Sequence, residues 1–256
     1  MDTFKFIFWE AMKGLSLALL GLLAAKAVAS LGASGAGGQN RLRVVRGALY
    51  AAILTLAALG AQAVGKDLAA RFYFSAAQDD LARSDAPRAY TNALRAVELR
   101  PANLLYWRLL ERSKFSQQQF ASMLADRPVF DSLSGGRLEE EDALRFAFAH
   151  FFLAQYDQVV PLTRQIIAEN RYYGEPYVLE GFAYSGKKNY AEAERCFLGV
   201  LQLFPSTEDA VRGLASAYFS TGQRARALAV LDETQKFPFS PAARQRFQDL
   251  KEMYSE

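Results

Sequence analysis

The sequence predicts an all-α protein: an N-terminal helical hairpin in a membrane, then about five stacked helix pairs and a closing helix. Three observations carry this. Residues 47–65, GALYAAILTLAALGAQAVG, hold no charged side chain and come close to the roughly 20 residues a helix needs to cross a bilayer. Residues 189–205, NYAEAERCFLGVLQLFP, place Ala193, Phe197, Val200, Leu201 and Phe204 at helical spacings on one face. That run stops at Pro205, which has no N–H with which to continue a helix. The same order of small residue, apolar residue and proline recurs as Ala89, Ala93 and Pro101, and as Ala227, Leu231 and Pro238 with the proline one place early.

Taken in chain order, the first element is the aromatic, amphipathic stretch FKFIFWEAMK, suited to lying at a membrane interface. The apolar run that follows gives a first span over about 14–33, in which Lys26 lies near one end and snorkels to the interface. A competing reading makes the same run a signal peptide, with Lys13 ahead of it and a small-residue cleavage site after Ala29. The uncleaved hairpin is preferred. SLGASGAGGQNRLRVVR then joins the spans; its Gly/Ser/Ala half is a flexible turn, and its second half carries Arg41, Arg43 and Arg46 close together. The second span, 47–65, is bracketed by Arg46 and Lys66 and has only Thr55 and Gln62 as clearly polar side chains. Tyr50 suits an interface, and Ala57, Ala58, Gly60, Ala61 and Gly65 allow close helix packing. The arginine cluster favours a cytoplasmic loop, which places the rest of the chain outside the cytoplasm; Lys5, Lys13, Lys66 and Arg71 oppose it. Residues 1–66 thus form a membrane anchor and 69–256 a repeat domain.

The repeat domain has a measurable period. Starts at Ala70, Leu104, Glu140, Gly174 and Glu208 give steps of 34, 36, 34 and 34, and DSLSGGRLEEE absorbs the two extra residues. In the fourth unit, 176–186 is the first helix, SGKKN the turn and 189–205 the second helix. The small Ala193 lets the first helix cross closely, and Phe197 fills the space between neighbouring repeats. The unit from Leu104 opens well with Trp107 and Leu110, but its second helix ends early, near Arg127 and Pro128. The unit from Glu140 has Pro161 inside its second helix, where a kink is expected. The polar run 241–254 closes the array as a capping helix.

A period of 34 with these residues resembles the tetratricopeptide repeat (TPR) family. Gly181, Tyr184, Ala193, Phe197 and Pro205 match its pattern in the fourth unit. Leu214, Ala215, Tyr218, Gly222 and Ala227 match in the fifth, and Ala77, Ala89, Ala96 and Pro101 in the first. In the third unit His150 replaces the usual tyrosine and Val159 the usual alanine. The resemblance implies a right-handed α-solenoid whose concave face, lined by the first helix of each pair, binds protein segments. By that register the groove-facing residues are Phe74, Gln78, Arg108, Arg112, Leu144, Phe148, Phe151, Val178, Phe182, Arg212, Ser216 and Phe219. Phenylalanines flanked by arginines suit a peptide or helix with apolar anchors and some acidic character. The competing assignment for these aromatics is inter-repeat core.

Composition limits the alternatives. The chain has 256 residues and a net charge of +3, with no dense Lys/Arg block, so nucleic acid is not an expected partner. A single cysteine, Cys196, excludes an internal disulfide and a CxxC site and is expected to be a buried or half-buried structural thiol. His150, the single histidine, is expected to be packed. No nucleophile, base and orienting group occur together, and no phosphate-binding or metalloprotease motif is present, so neither enzymatic activity nor a cofactor is expected. The acidic run 138–142 suits a helix N-terminus without a metal.

The expected function is a membrane-anchored scaffold binding another protein in assembly of a membrane or cell-envelope complex, with lipid as its second contact. Its layout is similar to bacterial membrane-anchored TPR proteins such as the cytochrome c maturation scaffolds. The alternative is an accessory subunit of a larger membrane complex, in which the spans make the specific contacts.

Overall fold

The structure, a computed structural model of the chain, describes Lys26 and residues 38–255, without the side chains of 38–44 and Arg46. These residues are helical, with no strand among them. They divide into two compact units, Met1–Arg71 and Phe72–Glu256.

Helix α1, Gly38–Ala82, is 45 residues long. No proline falls within it, and its Ala- and Leu-rich sequence favours helix throughout. The arginine-bearing half of the connecting segment, 39–46, is helical, and the helix runs past Gly65 without a break; the Gly/Ser/Ala half expected as a flexible turn lies outside the described residues apart from Gly38. Gly47–Ala82 is the one described helix that is long and apolar enough to cross a membrane. The first expected span and its signal-peptide alternative lie outside the described residues, apart from Lys26, so a hairpin is not seen. Within α1, Leu49, Ile53, Leu54, Leu56, Leu59 and Val64 are exposed. The Thr55 hydroxyl donates to the Ala52 carbonyl at 2.8 Å, which satisfies it without water.

From Phe72 the chain builds helix pairs. The end of α1 pairs with α2 (Ala86–Leu99). α3 (Leu104–Ser116) is followed by two short helices, α4 (Phe120–Ala125) and α5 (Arg127–Ser134), broken at Asp126 just ahead of Pro128. The remaining pairs are α6 (Glu140–Phe152) with α7 (Tyr156–Glu169), α8 (Gly174–Gly186) with α9 (Tyr190–Leu203), and α10 (Glu208–Ser220) with α11 (Arg224–Glu233). A 3-10 turn, Thr234–Lys236, leads to the capping helix α12, Pro241–Ser255. The starts of α3, α6, α8 and α10 coincide with the repeat starts read from the sequence. Pro161 lies within α7, which continues through it to Glu169.

The turn inside each pair repeats in atomic detail. Ser84, Gln118, Ala154, Lys188 and Gly222 all have positive φ, between 56° and 75°. The following N–H of Asp85, Gln119, Gln155, Asn189 and Gln223 bonds back to the carbonyl of Asp80, Lys114, His150, Tyr184 and Tyr218, at 2.8–2.9 Å. This left-handed closure caps the last carbonyls of the first helix. Only the fifth turn uses glycine.

The helix crossings repeat as well. Ala89, Met123, Val159, Ala193 and Ala227 occupy one position in the second helices and are fully buried. In the first helices the matching position holds Ala77, Glu111, Ala147, Gly181 and Ala215; four of the five are small and all are buried. Phe197 is the wedge between the fourth and fifth pairs. A Cβ on Gly181 would fall 2.6 Å from its ring, and one on Gly213 2.3 Å from it. The ring is therefore held between two bare stretches of helix backbone.

Two substitutions test this account in opposite directions. Gly213→Ala is expected to destabilise the protein by about 1–3 kcal/mol, because the Phe197 ring has no space to retreat. Ala154→Gly is expected to stabilise it by roughly 0.5–1 kcal/mol, since relief of the left-handed strain exceeds the added chain entropy. Denaturant midpoints of the full chain measure both; an unchanged Gly213→Ala midpoint would mean that the Phe197 wedge does not set the spacing of the pairs.

Candidate protein-binding groove

Successive first helices α6, α8 and α10 bring groove residues together because equivalent positions recur every 34 residues. Phe148 and Phe151 from α6, Val178 and Phe182 from α8, and Arg212 from α10 line one pocket of about 440 Å³. Phe152, Glu175, Leu179 and Asp209 complete it. A second pocket of about 350 Å³ shares Glu175, Val178 and Asp209 and adds Tyr172, Gly174, Phe204 and Thr207.

The aromatic lining is continuous. Phe115 lies 6.1 Å from Phe148 and 5.7 Å from Phe120, centroid to centroid. Phe120 stacks on Phe152 at 4.6 Å with the rings 15° apart. Phe151 reaches Phe182 at 6.5 Å, and Phe182 packs edge-on against the Phe197 wedge at 5.2 Å. Phe148, Phe151 and Phe182 are half-buried, packed against the core while also lining the pocket. Phe152 is more open, 55% exposed.

Other residues expected in the groove are used differently. Leu144 is buried in the core around Phe146. Phe74 is half-buried against Tyr106, ring centroids 5.0 Å apart. Arg108 is held by Asp142 at 2.8 Å and Glu139 at 2.5 Å, so it joins the second pair to the third. Arg212 pairs with Asp209 at 3.1 Å. Phe219 stacks on Tyr254 of the capping helix, 4.2 Å centroid to centroid, which covers one face of its ring. Gln78, Arg112 and Ser216 are exposed but line neither pocket. The cationic flank expected from the arginines is therefore not assembled at the pocket: Arg108 is tied into a helix–helix seam, and the one arginine present faces two carboxylates.

Sequence reasoning missed Phe152, Glu175, Leu179 and Asp209. A usable sign existed for two of them: Glu175 and Asp209 share one repeat position with Glu141, at steps of 34.

Glu111 shows what happens when a crossing position is not small. It is 1% exposed, and neither of its carboxylate oxygens makes a hydrogen bond. Its nearest cation is Lys114, 3.4 Å away, which also binds Asp126. Lys114 in turn stands where the fourth and fifth pairs carry Tyr184 and Tyr218. Across the seam on α6, Arg145 is engaged by Glu141 and Asp142. Burial pushes the Glu111 carboxyl up to about 7, against the pull of Lys114 and Arg145. Elsewhere Cys196 is half-buried, and burial, reinforced by Glu180 and Glu192, pushes its thiol up to about 12. His150 is half-buried and its Nδ1 lies 2.8 Å from Gln155 Oε1. Among the described residues no group of three or more His, Cys, Asp or Glu is placed to hold a metal ion.

No protein-family model matches the chain, and no curated protein matches its sequence. Solved structures do match. MamA from Desulfovibrio magneticus RS-1 superposes with a TM-score of 0.60 at 15% identity, over 70% of this chain and 97% of that one. YrrB, described as a TPR protein with an unusual peptide-binding site, gives 0.54 at 16% identity over 69% and 90%. TTC0263, a thermophilic TPR protein of Thermus thermophilus, gives 0.52 at 17% identity over 71% and 98%. The chain has the tetratricopeptide-repeat fold.

The buried carboxylate generates a pH prediction. Between pH 4.5 and 7 the folded chain retains the Glu111 proton that an unfolded chain has released. Its contribution is therefore fully present below 4.5 and is lost as pH rises through 7. Glu111→Gln is expected to raise stability at pH 8 by about 1–3 kcal/mol, with the gain shrinking toward pH 5. The difference between the two stability–pH curves isolates this group from Glu208, which its Arg246 partner shifts the opposite way. A gain independent of pH would mean Glu111 is not the titrating group.

Proposed function

We propose that the protein is a membrane-anchored scaffold that holds a segment of another protein in the groove formed by α6, α8 and α10. The observation that carries this is the pocket in which Phe148, Phe151, Phe152 and Phe182 meet across successive repeats. Half-buried rings backed by a rigid core present apolar area at small entropic cost, as binding hot spots do. YrrB, with the same fold, is described as having a peptide-binding site. The domain assignment follows the sequence: 1–66 as anchor and 69–256 as binding domain. The charge-free stretch 47–65 of α1, with Leu49, Ile53, Leu54, Leu56, Leu59 and Val64 exposed, supports a span, since a soluble helix of that length needs a polar face. The work assigned to this scaffold is assembly of a membrane or cell-envelope complex, with the repeats outside the cytoplasm. In the second reading the protein is an accessory subunit of such a complex. Its support is the row of small residues, Ala57, Ala58, Gly60, Ala61 and Gly65, that would let another span pack closely.

A photoreactive phenylalanine analogue in place of Phe152 is expected to trap one discrete partner in cells. The same analogue in place of Ala229, exposed on α11, is expected to trap none. Equal trapping at both positions would remove the groove from the function. The chain is also expected to stay in membranes through alkaline carbonate extraction. A cysteine replacing Ser255 should then react with an impermeant thiol reagent on cells whose inner membrane is intact, Cys196 contributing little because its thiol stays protonated. Extraction into the soluble fraction would end the anchor reading, and labelling only after membrane rupture would reverse the orientation.

A further inference from the structure

We propose that the groove selects a basic partner: an extended segment with apolar anchors and a Lys or Arg at about every third residue. This rests on the groove reading above and specifies its ligand. Glu141, Glu175 and Asp209 occupy one repeat position in the first turns of α6, α8 and α10. Glu175 and Asp209 line both pockets, at the junction between the aromatic lining and the shelf formed by Tyr172 and Phe204.

Acidic residues in a first turn also complement the helix dipole. Two features add a ligand-directed role. Glu175 and Asp209 border a largely apolar pocket that no described side chain fills. The local cations neutralise the row only in part: Arg212 pairs with Asp209 and Arg145 is shared between Glu141 and Asp142, whereas Glu175 accepts a hydrogen bond from the neutral Tyr173 hydroxyl at 3.1 Å. Tyr173 stays neutral because burial, and then Glu175, Glu140 and Glu141, push its hydroxyl up to about 12. Both pockets together are thus lined by two carboxylates and one guanidinium.

Spacing follows from the fold. Packed helix axes lie about 8–10 Å apart, so equivalent carboxylates on neighbouring first helices form a ladder of roughly that rise. A segment in the extended polyproline II conformation rises about 3.1 Å per residue with three residues per turn, so every third side chain falls on one face and meets the next rung. The residues between the cations supply apolar groups to Phe148, Phe151, Phe152 and Phe182.

The test uses the full chain in nanodiscs of zwitterionic lipid, with empty nanodiscs as blank. Two fluorescein-labelled dodecapeptides serve as probes: leucine- and alanine-based, one with Lys at every third position and one with Glu there. Fluorescence anisotropy at low salt is expected to show the Lys peptide binding about tenfold more tightly. The preference should shrink with added salt and disappear in the Glu175→Gln, Asp209→Asn double variant, whose isosteric changes are on the surface. Phe152→Ala should weaken the Lys peptide in either background. Equal or tighter binding of the Glu peptide, still sensitive to Phe152→Ala, overturns the basic-partner inference and leaves the groove reading standing. Binding of either peptide that Phe152→Ala does not change, or no binding at all, overturns both.

Discussion

The repeat array depends on one constraint, the close crossing of the two helices in each pair. Ala77 with Ala89, Ala147 with Val159, Gly181 with Ala193 and Ala215 with Ala227 occupy matching positions, all buried. A small residue there lets backbones approach until dispersion contacts form along the whole crossing. Once that distance is set, the space between pairs is fixed too. Phe197 fits it because Gly181 and Gly213 offer no Cβ on either side. The groove inherits its precision from the same constraint, since Phe182 packs on Phe197 and Phe151 on Phe182.

The second pair departs from the rule in a connected way. Glu111 replaces the small residue, Lys114 the aromatic one, and Met123 faces them from a six-residue helix, α4, that stops at Asp126. Asp126 then supplies the second carboxylate for Lys114. An apolar seam has become a polar one, continued by Arg108, Glu139, Asp142 and Arg145 on the boundary with the third pair. A buried ion pair of this kind adds little net stability, because desolvation offsets most of the attraction. The array tolerates it at one boundary because the core around Phe130 and Phe146 lies beside it.

Much of this was legible in the sequence. The period of 34, the starts of α3, α6, α8 and α10, the early end of the second pair and the capping helix all follow from small residues, aromatics and prolines, which constrain backbone directly. The continuity of α1 was not: nothing between Gly65 and Ala70 forbids helix, and a sequence shows where a helix must stop more readily than where it goes on. The turns were only half legible. Gly222 marks one left-handed residue, but Ser84, Gln118, Ala154 and Lys188 adopt the same conformation with no glycine to announce it.

The groove was harder to read for an electrostatic reason. Phe148, Phe151, Val178, Phe182 and Arg212, aligned by repeat register, line one pocket. Register cannot say which charge remains available once neighbours have paired. Arg108 looks like a ligand-binding cation until Glu139 and Asp142, some thirty residues on, fold against it. Glu175 and Asp209 look like ordinary helix-start acids until Val178 and Phe204 place them beside an apolar shelf. Shape in a helical repeat is set by residues at fixed offsets and survives in the sequence as a period. Charge at the surface is a difference between partners on separate helices, so its sign appears only when those helices are packed.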